Sequence, residues 1–166
     1  MRELINLNFI CTHNSRRSHL AQIWAQTMAC YFNIDQLFCF SGGTEATALY
    51  PSIKDTLERQ GFEFEISSAG KNPHHHLLFS DDAPAIVAFS KKYDAPFNPS
   101  SKFAAIITCS HADENCPMIV GAEKRILMSY EDPKKYDNSS QEIEGYAACS
   151  IQIACEMYHV FSAINK

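Results

Sequence analysis

The sequence predicts an α/β fold in which helices cover both faces of a parallel sheet. Short apolar runs typical of buried strands alternate along the chain with segments whose apolar residues recur at helical spacing. Crossover connections of this kind join parallel strands. No internal repeat interrupts the pattern. Because 166 residues are enough to bury one core, we expect a single domain over residues 1–166.

Two strand and helix units make up the first part of the chain. Residues 4–10 alternate in part and then become continuously apolar, which predicts a strand that ends at Cys11. The apolar side chains of residues 18–31 favour one face of a helix. A second strand is predicted over residues 37–40, and a second helix over residues 51–60, opened by a proline and stopped by a glycine.

The second part of the chain begins with an insertion. Residues 62–100 contain an alternating segment and two apolar runs separated by turn residues, which predicts an inserted hairpin. Strand character returns over residues 103–108 and 125–130, and a last helix is predicted over residues 141–161. The apolar face predicted for this helix consists of Ile143, Tyr146, Ala147, Ile151, Ala154, Met157, Tyr158 and Phe161.

Composition limits the partners and the compartment. The 14 Lys and Arg residues against 19 Asp and Glu residues give a formal net charge of -5, which disfavours nucleic acid and anionic membrane surfaces. We expect a cytoplasmic protein, because no apolar stretch reaches the length of a membrane span and the first residues are too polar for a secretory signal. The cysteines lack zinc-finger spacing, which fits a reducing compartment. Four of them lie in apolar patterns and are expected in the core: Cys30, Cys39, Cys149 and Cys155.

Cys11 is the first candidate for a catalytic residue. It follows the first strand and precedes a helix, and ligands of parallel sheets bind beyond the carboxyl ends of the strands. Loop N–H groups, the helix dipole and the guanidinium of Arg17 together favour a tetrahedral oxyanion and a thiolate. Ser15 and Ser18 are placed to donate hydrogen bonds to the sulfur, and Asn14 tolerates the left-handed backbone of a tight loop. The stretch therefore predicts a nucleophile in an anion-binding loop.

The Cys-x5-Arg-Ser spacing in CTHNSRRS, residues 11–18, resembles the loop of the low-molecular-weight tyrosine phosphatases and of the arsenate reductases that share their fold. The resemblance covers residues 4–61 and 103–164 and implies a four-stranded parallel sheet with flanking helices, in addition to the inserted hairpin. Two positions depart from the family pattern, which usually has glycine at His13 and a second cysteine at Arg16. The residues implied to bind the oxyanion are Thr12, His13, Asn14, Ser15, Arg16, Arg17 and Ser18.

Asp132 is the candidate general acid. The segment Tyr130-Glu131-Asp132-Pro133 resembles the Asp-Pro loop of the family, whose aspartate protonates the leaving oxygen. Pro133 biases the preceding residue toward an extended backbone, which can hold the carboxylate over the pocket. An Asp-Pro pair also occurs in ordinary turns and helix caps, and its position after the fourth strand favours the catalytic role.

Two further cysteines distinguish the two activities of the family. The segment 108–117 resembles the redox segment of arsenate reductases. The resemblance implies that Cys11 attacks arsenate, Cys109 attacks the adduct and releases arsenite, and Cys116 resolves the disulfide. In an intact helix, residues seven apart are separated by about 10.5 Å, beyond the ~7 Å that a disulfide spans between Cα atoms, so the segment must open. A zinc site formed by Cys109, His111 and Cys116 is disfavoured because a fourth ligand is missing.

The resemblance also bears on cofactors and partners. It implies no tightly bound cofactor and a thiol reductant, either thioredoxin or a glutathione and glutaredoxin system. Potassium, which some relatives bind, would fall on Asn14, Ser41 and Gln22, but Gln22 replaces a glutamate and removes a charge, which makes potassium doubtful. The histidines at 74–76 alternate in direction on a strand, which indicates an exposed polar stretch rather than a metal site.

Two alternatives to an arsenate reductase remain open at this stage. A tyrosine phosphatase needs only Cys11, Arg17 and Asp132 for a cysteinyl-phosphate intermediate and its hydrolysis. Lys134 and Lys135 stand where tyrosine phosphatases carry aromatic residues that flank the substrate ring, which favours a small oxyanion. A non-catalytic anion or redox sensor would keep the anion-binding loop without using Asp132.

Overall fold

The computed structural model describes residues 4–115 and 118–164. Within these ranges the strands are β1 (Ile5–Cys11), β2 (Leu37–Gly43), β3 (Glu63–Ile66), β4 (His75–Leu78), β5 (Ile86–Ala88), β6 (Phe103–Ile107) and β7 (Ala122–Leu127). The helices are α1 (Arg17–Tyr31), α2 (Pro51–Arg59), α3 (Ser110–Asn115) and α4 (Glu142–Ile164). A 3₁₀ turn spans Pro133–Tyr136. The predicted strands and helices are therefore present, with ends that differ by a few residues.

The main sheet contains β2, β1, β6 and β7 in that order, and all three pairings are parallel, which confirms the predicted fold class. β1 lies between two strands, and its last four residues are buried, as its continuous apolar run indicates. The register pairs Cys11 with Gly43 of β2, and Ile10 with Ile107 of β6. The carboxyl ends of three neighbouring strands thus meet at the edge where Cys11 lies.

The hydrophobic core has one large and one small part, on opposite faces of the main sheet. In the large part, Phe9 and Ile106 of the sheet join Leu20 of α1, Ile53 of α2 and Ile153 of α4. Burial of each such side chain contributes about 1.5–3 kcal/mol. The smaller part, beside the short helix α3, includes Ile10, Phe103, Ile107, Ala112 and Ile119. Most of the core therefore lies on the side of α1 and α4, which pack against each other.

The buried face of α4 differs from the prediction. Its buried residues are Tyr146, Ser150, Ile153, Met157 and Phe161, which form one stripe along the helix. Ile143, Ile151 and Tyr158 are 59%, 55% and 49% exposed, so the prediction was wrong for these three. A pattern that counts only apolar residues misses Ser150, whose hydroxyl accepts a hydrogen bond from the indole of Trp24 at 2.9 Å. Neither α4 nor another helix in the described part of the chain is long and apolar enough to cross a membrane.

The insertion forms a three-stranded antiparallel sheet rather than one hairpin. β4 lies in the middle and pairs with β3 and β5. Leu77 of β4 and Ile86 and Ala88 of β5 join the large core cluster. The inserted sheet is therefore packed on the body of the protein and brings residues 89–93 alongside the end of β2, where Gly43 forms an isolated bridge with Lys92.

Several predictions of burial are wrong. His75 on β4 is 6% exposed, because alternate side chains of this strand face the core, so the histidines at 74–76 are not a uniformly exposed stretch. Cys39 is buried as predicted, and Cys149 is partly buried. Cys30 and Cys155 are exposed, because they lie on the outer faces of α1 and α4. Helical periodicity in the sequence does not by itself distinguish these exposed positions from buried ones, since a small residue such as cysteine fits both the core and the surface.

Candidate active site

Cys11 is the last residue of β1 and is 4% exposed. The backbone N–H of Asn14 donates to its sulfur at 3.2 Å, and the hydroxyl of Ser18 lies 3.1 Å from the same atom. Asn14 has φ 44°, which confirms the left-handed conformation predicted for this position. The chain therefore turns tightly around the sulfur between β1 and α1, and two polar groups face it.

Ser18 is oriented so that its proton can point at the sulfur. The side-chain amide of Asn14 donates to the Ser18 oxygen at 2.9 Å, which occupies a lone pair and leaves the hydroxyl hydrogen to donate elsewhere. Cys11 is the neighbour at donating distance. Ser15, predicted to share this role, lines the cavity above the sulfur instead. The arrangement stabilises a thiolate more than a thiol, since both contacts supply hydrogen to the sulfur.

A cavity of about 390 Å³ opens above Cys11. Its lining consists of Cys11, Thr12, His13, Ser15, Arg16, Arg17, Glu45, His111, Asp132 and Lys134. The structure therefore brings together most of the residues predicted for the site. Asn14 and Ser18 are fully buried beneath it and support the loop.

Arg17 and Asp132 are joined across the cavity. The guanidinium Nη2 of Arg17 donates to Oδ2 of Asp132 at 2.5 Å, and Nη1 donates to the carbonyl of Tyr130 at 3.0 Å. The other carboxylate oxygen of Asp132 accepts from the backbone N–H of Lys134 at 3.0 Å and so begins the 3₁₀ turn. The backbone at Asp132 is extended, with ψ 117°, as expected before a proline. The carboxylate thus lies at the cavity that contains Cys11.

Arg16 lines the cavity, but its guanidinium is already engaged. Nε donates to the hydroxyl of Tyr146 at 2.6 Å, Nη2 donates to Asp137 at 2.6 Å, and the group lies 3.9 Å above the ring of Tyr50. Burial lowers the pKa of Arg16, but Tyr146 and Asp137 outweigh that effect, so the pKa lies above its ordinary value. At the position where the resembling family usually has a cysteine, this chain has Arg16. Its contacts with Tyr146 and Asp137 connect the loop to α4 and to the segment before α4.

Residues after the inserted sheet support the loop from below. The hydroxyl of Ser90 donates to the carbonyl of His13 at 3.0 Å, and the backbone N–H of Lys91 donates to the side chain of Asn14 at 2.9 Å. Lys91 is 4% exposed, and burial lowers its pKa to about 8. The backbone N–H of Gly43 donates to the carbonyl of Lys91 at 2.9 Å. The insertion, whose purpose the sequence does not indicate, therefore positions the loop that holds Cys11.

Cys109 lies beside the same loop. It follows β6 and is 1% exposed, and its sulfur is 3.6 Å from the hydroxyl of Thr12. The backbone N–H of Ala112 in α3 donates to it at 3.4 Å. Cys116, the predicted resolving cysteine, lies outside the described residues. Among the residues that are described, no group of three or more His, Cys, Asp and Glu side chains could hold a metal ion.

The residues implied for potassium are only partly engaged in other contacts. The oxygen of the Asn14 side chain accepts the backbone N–H of Lys91, and the hydroxyl of Ser41 contacts the ring of His19 at 3.3 Å. The amide nitrogen of Gln22 donates to the carbonyls of Cys39 and Val87, whereas its oxygen is buried without a hydrogen-bond partner in the described structure. The neutral Gln22 oxygen offers a cation less charge than the glutamate that it replaces.

The residues predicted for the site did not include three that line the cavity: Glu45, His111 and Lys134. The sequence linked Lys134 with a small oxyanion, and it considered His111 only as a zinc ligand. Each follows the carboxyl end of a strand of the main sheet by a few residues, since β2 ends at Gly43, β6 at Ile107 and β7 at Leu127. The rule that ligands bind at this edge of a parallel sheet could have found them. These residues are far from Cys11 along the chain, so local sequence patterns did not connect them with it.

Comparison with known proteins shows which proteins this chain is similar to. No family model matches the chain. Arsenate reductase 2 of Staphylococcus epidermidis is 25% identical over 125 residues, which cover 75% of this chain and 76% of that protein. The chain is thus similar in sequence to arsenate reductases over three quarters of its length.

Solved structures of the family share the fold. The structure of an arsenate reductase in the phosphate binding state has a TM-score of 0.61 and 17% identity, and the match covers 97% of this chain and 99% of that one. A low-molecular-weight protein tyrosine phosphatase from T. tengcongensis has a TM-score of 0.64 and 13% identity, covering 96% and 99%. An arsenate reductase and a low-molecular-weight protein tyrosine phosphatase therefore both share the fold of this chain.

Proposed function

We propose that this protein is an arsenate reductase that uses Cys11, Cys109 and Cys116 in sequence. The observation that carries the proposal is the position of Cys109, whose sulfur lies 3.6 Å from the hydroxyl of Thr12, the residue next to Cys11. A phosphatase of this family needs one cysteine, whereas a reductase needs a second one within reach of the first. Cys109 is well placed for that second role, because it lies at the end of the strand next to β1.

In the first step the loop and Arg17 bind arsenate as a tetrahedral oxyanion. The thiolate of Cys11 attacks arsenic, a sulfur–arsenic bond forms, and an arsenic–oxygen bond breaks. Asp132 gives a proton to the departing oxygen, which leaves as water. The carboxyl group of Asp132 lines the same cavity as Cys11, which supports this assignment. Its hydrogen bond to Arg17 must open, and the group must take up a proton, before it acts as an acid.

In the second step the thiolate of Cys109 attacks the sulfur of Cys11. The disulfide forms and the sulfur–arsenic bond breaks, with its electron pair passing to arsenic. Arsenic is reduced from the +5 to the +3 state and leaves as arsenite, while two thiols are oxidised. Cys116 then attacks Cys109, frees Cys11, and leaves a disulfide that an external dithiol reduces. We propose a thioredoxin-like reductant in the cytoplasm for this last reaction.

The lining of the cavity favours a small oxyanion over an aryl phosphate. No Phe, Tyr or Trp side chain is among the described residues that line it, and Lys134 contributes a cation at the Asp-Pro loop. Hydrolysis of a phosphate monoester remains the second candidate, because Cys11, Arg17 and Asp132 also suffice for a cysteinyl-phosphate. Both reactions begin with sulfur attacking a tetrahedral centre, so a weak phosphatase activity is expected beside the reductase.

Single-turnover assays with the reduced protein test the proposal. We expect one equivalent of arsenite with the loss of two thiols, and no arsenite from Cys11→Ser or Cys109→Ser. Cys116→Ser should release arsenite once but fail in multiple turnover with thioredoxin. Cys30→Ser, which changes an exposed cysteine, is the matched control and should behave as wild type.

Three other results would contradict the proposal in different ways. Sustained phosphate release from an aryl phosphate without arsenite release would establish a phosphatase. Oxyanion binding without any turnover would establish a sensor. Unchanged multiple turnover by Cys116→Ser with thioredoxin would remove the third cysteine from the relay.

A further inference from the structure

The hydroxyl of Thr12 stands between Cys109 and His111. Its oxygen lies 3.6 Å from the sulfur of Cys109 and 3.2 Å from Nδ1 of His111. A threonine hydroxyl accepts one hydrogen bond and donates another, so it can accept from a thiol while donating to an unprotonated imidazole nitrogen. The three groups form a continuous chain from a buried sulfur to the surface, because Cys109 is 1% exposed and His111 is exposed.

A thiol must lose its proton before it acts as a nucleophile. Two hydrogen-bond donors face the sulfur of Cys11, whereas one backbone N–H, that of Ala112, donates to the sulfur of Cys109, which is 1% exposed. A hydrogen-bonded neighbour that accepts the thiol proton would make Cys109 a better nucleophile. The chain through Thr12 offers a route for this proton, and it ends at a residue type whose ordinary pKa lies close to neutrality.

We propose that His111 is the general base that takes the proton of Cys109 through the hydroxyl of Thr12. The inference rests on the proposed reductase function, since it assigns a role in the second step. The Thr12 proton passes to Nδ1 of His111, and the proton of Cys109 replaces it on Thr12. The thiolate then attacks the Cys11 sulfur, the electron pair of the sulfur–arsenic bond stays on arsenic, and His111 returns its proton to arsenite or to water.

His111 also lies on the cavities that contain the two cysteines of the second step. It lines the cavity above Cys11 and a second cavity of about 500 Å³ that contains Cys109 and Asp132. Two other titratable side chains on these cavities lie next to charged groups: Asp132 is paired with Arg17, and His13 lies 3.3 Å from Glu45. The charged and titratable groups that line these two cavities beside His111 are Cys11, His13, Arg16, Arg17, Glu45, Cys109, Tyr130, Glu131, Asp132 and Lys134.

The test is the rate of arsenite release in a single turnover, measured as a function of pH. We expect His111→Gln to slow release by about 100-fold at neutral pH, within the usual range for loss of a general base. The deficit should shrink in alkaline solution, where hydroxide removes the thiol proton directly. His159→Gln, a histidine at an exposed position on α4 and outside this cavity, is the matched control and should keep the wild-type pH profile.

Variants of Thr12 provide a second, independent test of the proposal. Thr12→Val keeps the shape but removes the hydroxyl, and should show the same pH-dependent deficit as His111→Gln. Thr12→Ser restores the hydroxyl and should recover most of the rate. A structural role for either residue would not produce this pattern, because a misfolded loop slows release equally at every pH.

A deficit that is the same at every pH, or wild-type release by His111→Gln, would overturn the proposal. If the wild-type protein releases no arsenite, the proposed reductase function is wrong, and this result leaves the role of His111 to a separate measurement. In that case the ionisation of Cys109 still tests the proton transfer. The ultraviolet absorbance of its thiolate is the difference between the absorbance of Cys11→Ser and that of the variant that lacks both Cys11 and Cys109. Ionisation of Cys109 should move to higher pH in His111→Gln, and an unchanged titration would refute the role of His111.

Discussion

The backbone N–H of Lys91 donates a hydrogen bond to the side-chain oxygen of Asn14 at 2.9 Å, across 77 residues of sequence. Through this contact the segment after the inserted sheet holds the loop that carries Cys11. The same Asn14 side chain donates to Ser18, which in turn faces the sulfur. The insertion and Cys11 are therefore connected by two side chains.

Replacement of Asn14 tests this connection. Asn14→Gly suits the left-handed backbone at φ 44° but removes both side-chain hydrogen bonds, and should lower the free energy of unfolding by about 1–3 kcal/mol. It should also slow alkylation of Cys11, because Ser18 loses the partner that orients its hydroxyl. Denaturant titration and peptide-resolved alkylation measure the two effects. Asn6→Gly, which removes a longer and exposed hydrogen bond, is the control; equal effects would refute the connection.

The ion pair of Arg16 is expected to contribute to stability. Arg16 and Asp137 have side chains only 13% and 14% exposed, so Arg16→Ala leaves a desolvated carboxylate without its partner. We expect the free energy of unfolding to fall by about 3 kcal/mol. Lys54→Ala removes a more exposed ion pair with Glu58 on α2 and should cost less than about 0.5 kcal/mol. Similar losses in the two variants, measured by urea denaturation, would show that burial of the Arg16 pair is unimportant.

Asp132 should matter to the chemistry and little to the fold. Asp132→Asn keeps the size of the side chain but cannot give a proton to the departing oxygen, so the first step should slow by about 10²–10⁴-fold. Stopped-flow measurement of arsenate-dependent thiol loss gives this rate. Glu131→Gln is the control, because Glu131 is exposed and pairs with Lys135. A rate for Asp132→Asn within a few-fold of wild type would exclude the general-acid role.

His19 should make stability depend on pH. Burial, and next the charge of Lys91, lower the pKa of His19 from 6.5 to about 3. The unfolded chain therefore binds a proton that the folded protein excludes between these values, and the free energy of unfolding falls as pH falls from 6.5 toward 3. The contribution of one such group is about 1.4 kcal/mol per pH unit.

The comparison of variants isolates this contribution. His19→Gln should remove about that slope from the pH dependence of the free energy of unfolding, measured between pH ~6 and ~4 by denaturant titration. His159→Gln, at an exposed position on α4, should leave the slope unchanged. If both variants keep the wild-type slope, His19 is protonated in the folded protein and the burial argument fails.

Local patterns in the sequence determined the strand, loop and helix around Cys11, the left-handed backbone at Asn14 and the extended backbone before Pro133. These features depend on residues that are neighbours along the chain, where periodicity, proline geometry and turn propensity act directly. The four strands of the main sheet were predictable for the same reason. Exposure along α4 was not, because a polar residue such as Ser150 is buried when tertiary contacts satisfy its hydroxyl.

Only the tertiary structure decided what surrounds the loop. Arg16 meets Asp137 and Tyr146, which lie 121 and 130 residues away, and Thr12 meets His111 across 99 residues. Such pairs arise where separate elements converge on one edge of the sheet, and no local preference of either residue encodes them. The motif thus predicts the nucleophile and its anion, whereas packing selects the residues that contact the loop.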